Sequence, residues 1–277
     1  MISVGTRYHD AMTNLGRVLI IAGSDSGGGA GVQADIKTVT ALGGYAATAI
    51  TAVTVQNTLG VTGVHPIPLD IIEAQARAVL DDIGADVIKT GMLGDAATVA
   101  LVARLLEEFV VPAVIDPVMV AKGGASLLAA EAVAMVRDRL VPCATLLTPN
   151  APEAEALSGL TVATTDDLRR AGDALLVMGA RAVLMKGGHV DGDRVVDVLM
   201  TPDGETVFEG ERIDSRHTHG TGCTLASACA AGIAQGLPLA AAVARAWDYV
   251  HEAMLRAPGF GAGHGPLDHG WPLRGRV

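Results

Sequence analysis

The sequence predicts an α/β fold of three layers, a mainly parallel sheet with helices on both faces. Three observations predict it. Short apolar, β-branched runs alternate with segments of helical period along the 277 residues. The runs are apolar throughout, as strands covered from both sides are. Nearly every polar cluster follows directly on such a run, at the carboxyl end where open α/β sheets bind ligands.

Val18–Ala22 reads as the first strand, and a Gly-rich turn leads into a helix over Val32–Leu42. Ala47–Val55 and Val61–Val64 read as strands, and Leu69–Ile83 as an amphipathic helix with Asp70 near its positive end. Strand Asp86–Lys89, helix Thr98–Phe109 and strand Ala113–Ile115 follow, then a helix near Ala129–Arg139. Leu146–Leu147 is a short strand, Leu168–Met178 a helix and Ala182–Met185 a strand. Val195–Met200 and Thr206–Glu209 resemble a hairpin turning at Pro202-Asp203-Gly204. Thr224–Gln235 and Leu239–Leu255 close the chain as helices. No linker or repeat interrupts the pattern, so residues 18–277 are expected to form one domain behind a loosely ordered extension, 1–17.

Composition narrows the function. The charge is −10 with no Lys/Arg run, which argues against a nucleic-acid surface. No apolar stretch reaches the ~20 residues that span a bilayer. Met1 to Arg17 holds Arg7, His9 and Asp10 and lacks an apolar core, unlike a secretory signal. Three cysteines suit a reducing compartment, so a cytoplasmic protein is expected. A homodimer is the expected assembly, though no residue pattern specifies it.

The most informative stretch is His219-Gly220-Thr221-Gly222-Cys223, which opens an Ala-rich helix. Two glycines around Thr221 let backbone N–H groups converge, and the helix dipole adds positive potential. Such a nest suits a phosphoryl group in transfer. Cys223 sits at the helix N-terminus, where a thiolate is favoured. The same residues also suit a plain turn before a buried helix, and this stretch alone leaves both open.

Other motifs carry paired readings. The run from Gly23 to Gly31 lacks the ending of a P-loop and the spacing of a dinucleotide fingerprint, and reads as a flexible substrate-side loop. Asp35 falls early in the next helix, where a solvated first-turn carboxylate is the plain alternative. Gln56 ends a strand, and its amide offers both an acceptor and donors to an aminopyrimidine edge. Asn150 and Glu153 match a capping box, but could equally hold water ligands of Mg²⁺ on nucleotide phosphates. Lys186 ends a strand before two glycines, placed to meet phosphate or simply to emerge at the sheet edge.

Taken together, the run Ile20 to Thr58, Gly91-Met92-Leu93, Asp116-Pro117-Val118-Met119, Thr148-Pro149-Asn150 with Glu153, Leu184 to His189, and Thr218 to Thr224 resemble the hydroxymethylpyrimidine/phosphomethylpyrimidine kinases of thiamine biosynthesis. The tail from Gly261 to His269 is similar as well. The resemblance implies a ribokinase-like fold and ATP-dependent phosphorylation of 4-amino-5-hydroxymethyl-2-methylpyrimidine, then of its monophosphate. It implies that Gly23, Asp35, Gln56, Met92 and Val118 line the pyrimidine pocket. Asp116, Asn150, Glu153 and Lys186 would serve MgATP, with Glu153 reaching the metal through water. Gly220, Thr221 and Gly222 would form the anion hole, and Cys223 would stand where sugar-kinase relatives carry an Asp base. Ser26-Gly27 replaces a Pro-Ser common in the family, which changes loop stiffness. A pyridoxal or pyridoxine kinase on the same fold is the nearest alternative. A non-catalytic pyrimidine-binding module is a further one, opposed by the intact phosphate-side residues.

Overall fold

The computed structural model describes residues 15–119 and 130–274. The expected extension therefore lies outside the described residues up to Asn14, as does Ala129 at the start of an expected helix.

Ten strands and eight α-helices among these residues follow the predicted alternation. In chain order they are β1 (Arg17–Ala22), α1 (Gly31–Ala41), β2 (Tyr45–Ile50), β3 (Ala52–Asn57), β4 (Gly60–Pro66), α2 (Leu69–Ala78), β5 (Val87–Thr90), α3 (Ala96–Phe109) and β6 (Ala113–Ile115). Then come α4 (Ala130–Met135), β7 (Leu146–Leu147), α5 (Ala151–Ser158), α6 (Thr165–Val177), β8 (Val183–Met185), β9 (Arg194–Thr201), β10 (Gly204–Glu211), α7 (Thr221–Ala234) and α8 (Leu239–Leu255).

Eight strands form one sheet in the order β10-β9-β8-β7-β6-β5-β1-β2. From β8 to β2 the neighbours run parallel, and β9 and β10 add an antiparallel edge. β1 shows why the strands are apolar on both sides. Leu19 and Ile21 pack under α2 and α3, while Val18, Ile20 and Ala22 pack with α1, α7 and α8. Each of the Val, Leu and Ile side chains contributes about 1.5–3 kcal/mol on burial. No helix among the described residues is long and apolar enough to cross a membrane.

Four boundaries differ from expectation. Arg17 belongs to β1 rather than to the extension, tied to Asp86 by a 2.7 Å ion pair. The expected strand Ala47–Val55 is two strands that break at Thr51. The Thr51 N–H donates to Ala22 O and its hydroxyl to Met92 O, so the chain leaves the main sheet there. β3 then pairs antiparallel with β4 as a separate two-stranded sheet. Ala52 and Thr54 are buried and Val53 and Val55 exposed, the alternation of a one-sided strand. The helices expected over Leu69–Ile83 and Ala129–Arg139 each lose α geometry early. α2 and α4 pass into wide π turns over Val79–Ile83 and Val136–Leu140.

Candidate active site

The carboxyl ends of β1, β5, β6, β7 and β8 open into a cavity of about 430 Å³. Every sequence-predicted site residue lines it except Asp35.

At one end, Gly23 follows β1 so closely against Met92 that an added Cβ would lie 2.3 Å from the Met92 methyl carbon. Val118, held by its N–H to Asp116 O at 2.9 Å, and Met119 complete an apolar wall. Gln56 enters from β3, its side-chain amide 3.3 Å from His219 Nε2 and 3.4 Å from Thr54 Oγ1.

The Gly-rich loop between β1 and α1 is strapped down, contrary to the flexible loop expected. Asp25 is 1% exposed and accepts from the N–H groups of Gly27, Gly29 and Ala30. His219 Nε2 lies 2.8 Å from the same carboxylate. Burial would raise the Asp25 carboxyl, but His219 and these amides outweigh it and hold it below its ordinary value. Ser26 adds a reciprocal pair of bonds with the Gln56 backbone at 2.7 and 2.8 Å.

Gly220 caps α7 with φ +80, and a Cβ there would lie against Gly29 O, so the position requires glycine. Thr224 N–H bonds back to Gly220 O. The amides of Gly222 and Cys223 belong to the first helical turn, which has no intrahelical acceptors, and both residues line the cavity. A Cβ on Gly222 would be 3.3 Å from Lys186 Nζ and 3.9 Å from Asp116 Oδ2. The amide nest and the charged set thus share one end of the cavity.

That set is Asp116, Glu153 and Lys186. Lys186 Nζ lies 3.1 Å from Asp116 Oδ1 and 3.7 Å from Glu153 Oε2. Burial opposes its charge, but the two carboxylates hold Lys186 protonated above its ordinary value. The Lys186 backbone is pinned by its N–H to Pro149 O on one side. On the other, buried Asp197 accepts the Gly187 N–H at 2.8 Å. Asp116 Oδ2 is buried without a hydrogen-bond partner among the described residues. Such an atom calls for a cation or water.

Asn150 and Glu153 do form the capping box. Asn150 Oδ1 accepts from Glu153 N–H at 2.9 Å, and Glu153 Oε2 accepts from Asn150 N–H at 2.8 Å. Glu153 therefore caps α5 and also faces the cavity. Burial first, then nearby Asp116, push its carboxyl up to about 7 against the pull of Lys186.

Two expectations need correction. Asp35 does not line the cavity, nor is it a solvated carboxylate. It is 0% exposed, with Lys89 Nζ 2.9 Å from both its oxygens and Ser227 Oγ at 2.7 Å. Cys223 lines the cavity beside a Gly31 backbone N–H, and its surroundings disfavour the thiolate expected there. Burial pushes its thiol up to about 12, and Asp116 and Asp35 add to this against the pull of Lys89. Desolvation outweighs the helix end.

Sequence reading assigned no role to Asp25, His219 or Lys89. An Asp heading a Gly-rich run is a signal for a carboxylate that caps its own loop. His219 is 194 positions from Asp25, and nothing local links them.

Residues 25–268 match the sequence pattern of the family described as phosphomethylpyrimidine kinase. The hydroxymethylpyrimidine/phosphomethylpyrimidine kinase of Streptomyces coelicolor is 51% identical over 256 residues, which are 92% of this chain and 95% of that one. The thiamine biosynthesis bifunctional protein ThiED of Geobacter sulfurreducens is 51% identical over 255 residues, 92% of this chain and 52% of that protein. A structure of Staphylococcus aureus pyridoxal kinase in complex with AMP-PCP and pyridoxal superposes with a TM-score of 0.87 at 34% identity, covering 94% of this chain and 95% of that one. With the match running from the Gly-rich loop to the C-terminal tail, this chain belongs to the phosphomethylpyrimidine kinase family.

Proposed function

We propose that this enzyme uses ATP to phosphorylate 4-amino-5-hydroxymethyl-2-methylpyrimidine and then its monophosphate to the diphosphate, in thiamine biosynthesis. One observation carries the reading. A single cavity joins an apolar, Gln-edged end to an amide nest flanked by Lys186, Asp116 and Glu153. A flat heteroaromatic fits the first end and a transferring phosphoryl group the second. The nest amides and Lys186 stabilise the charge that spreads over the phosphoryl oxygens. The unpartnered Asp116 Oδ2 and the Glu153 carboxylate are hard oxygen donors that fit Mg²⁺. Bound there with ATP, the metal would neutralise phosphate charge.

Incubating the purified protein with ATP and, separately, the alcohol, the monophosphate and pyridoxal tests this reading. The pyridoxal kinase likeness keeps pyridoxal in the assay. Product from pyridoxal alone overturns the pyrimidine assignment. Gln56→Leu is expected to cost about 1–3 kcal/mol with the aminopyrimidine, or about 5- to 150-fold in kcat/KM, and less with pyridoxal. Equal losses on both rings would remove Gln56 from ring choice.

Glu153→Gln is expected to lower turnover, with partial recovery in excess Mg²⁺. Its effect on stability follows from the raised carboxyl. A group whose value rises from 4.5 to about 7 on folding supports the fold fully below 4.5 and loses that support as pH climbs through about 7. Above 7 the buried charge costs about 3 kcal/mol. Gln keeps the capping pattern without the charge. The variant should therefore melt at or above the parent temperature at pH 8, with no advantage at pH 4. A large drop in melting temperature at pH 8 assigns Glu153 to capping alone.

Cys223 is proposed to position the acceptor oxygen as a neutral thiol, which does not repel the dianionic monophosphate. Cys223→Ala should then slow both transfers comparably, about tenfold, the loss of one hydrogen bond. A loss confined to the alcohol step would instead show that a thiolate base forms once ATP is bound. All three cysteines are unpaired, in keeping with a cytoplasmic enzyme. A homodimer is proposed through the outer face of the β3–β4 sheet, where Val53, Val55, Leu59 and Val64 are exposed. Sedimentation of a monomer at micromolar concentration counts against it.

A further inference from the structure

An amide selects a ring only if its donor and acceptor are held in a known order. Half a turn about the last bond of Gln56 would exchange them at almost no steric cost. Two neighbours settle the order.

The first is His219. Its Nε2 lies 2.8 Å from Asp25 Oδ2 and 3.3 Å from the Gln56 amide. Asp25 is buried and already accepts from three backbone amides. A carboxylate in that position only accepts, so His219 Nε2 must carry a proton. This holds for the neutral ring and for the imidazolium. Toward Gln56, Nε2 can therefore only donate, as the longer branch of a shared N–H. The amide must turn its oxygen to it.

The second is Thr54. Its hydroxyl has one proton, and the 2.8 Å contact to Ser24 O takes it. A further bond from Thr54 N–H to Ser24 Oγ at 3.1 Å locks the two residues together. As placed, Gln56 Oε1 lies 3.4 Å from Thr54 Oγ1 and Gln56 Nε2 faces His219, but with its one proton on Ser24 O, Thr54 Oγ1 offers the amide only a lone pair, so the amide is read half a turn round. The amide must turn its nitrogen there. The two demands agree.

We infer that the Asp25–His219 and Ser24–Thr54 pairs fix the polarity of the Gln56 amide, oxygen toward His219 and nitrogen toward Thr54. Thr54, at 3% exposure, does this without lining the cavity, so it is a positioning residue for ring choice. The inference rests on the proposed contact between Gln56 and the ring. It deepens that reading. The remaining N–H and lone pair face the substrate in a set order. They suit a heteroaromatic that carries a ring nitrogen beside an exocyclic amine. A ring with those groups exchanged leaves one amide end unpaired.

Two measurements test it. Long-range ¹H–¹⁵N NMR on labelled apoprotein should show His219 protonated on Nε2 from pH 6 to 8. An unprotonated Nε2 overturns the inference whatever the kinetics show. Thr54→Val keeps the side-chain shape and removes the acceptor. It should raise KM for the aminopyrimidine about tenfold, with kcat and KM for ATP unchanged, and Thr54→Ser should restore KM. An unchanged pyrimidine KM in Thr54→Val overturns the inference alone if Gln56→Leu raises that KM. If Gln56→Leu leaves it unchanged too, the ring contact itself falls, and the inference with it.

Discussion

Gly222→Val is expected to cut turnover by about 10²–10³ while pyrimidine binding survives, the loss seen when a preorganised anion-hole donor is removed. The geometry makes Gly222 the sharper of the two nest glycines for this purpose. At Gly220 a Cβ meets the Gly29 backbone oxygen, so any substitution there disturbs the Gly-rich loop as well. At Gly222 a Cβ points into the cavity, between the flexible Lys186 ammonium and Asp116 Oδ2. Valine can be accommodated by the fold, because its nearest neighbour is a side-chain end rather than backbone. Its methyl groups occupy the space a phosphoryl group needs and screen the amides behind it. Steady-state turnover and pyrimidine calorimetry on the same preparation separate the effects. Equal loss of turnover and pyrimidine binding would point to local misfolding.

Lys89→Met is expected to destabilise the fold by about 3–5 kcal/mol, as removal of one partner from a buried ion pair does. For a chain of this size that lowers the melting temperature by about 6–20 °C. Lys89 and Asp35 are both 0% exposed, and the ammonium contacts both carboxylate oxygens at 2.9 Å. Burial opposes each charge, and the partner is the largest compensation for each. Ser227 Oγ offers Asp35 a second donor at 2.7 Å but no charge. The double variant Asp35→Leu/Lys89→Met should recover much of the loss, since an apolar pair needs no compensation. Scanning calorimetry of the single and double variants checks both statements. A single variant as stable as the parent would mean that water reaches this pair.

Asp35 also shows how far local pattern carries. It lies three positions after Val32 and four before Val39, on the apolar stripe of α1. That spacing marks it as inward-facing, and both sequence readings passed over it. What it faces could not be read, because Lys89 is 54 positions away on β5 and Ser227 is 192 positions away on α7. Glu153 was legible as a cap and as a cavity-lining residue, since a capping box is a local device and the strand-end position is set by the fold. Cys223 was legible in position and not in charge. Its place at a helix start is local, but the burial that pushes the thiol up to about 12 is set by chain segments far away in sequence.

By itself the sequence determined the order of strands and helices, the double-sided burial of the sheet and the family. Apolar periodicity reports burial directly, and the site motifs stand at strand ends that the alternation locates. Only the tertiary structure decided the break at Thr51, the Asp25–His219 link and the burial that pushes up the Cys223 thiol and the Glu153 carboxyl. The reason is physical. Hydrophobic patterning is written residue by residue along the chain. The free energy of a charge or a proton depends on every dipole and apolar wall around it, whatever their distance in sequence.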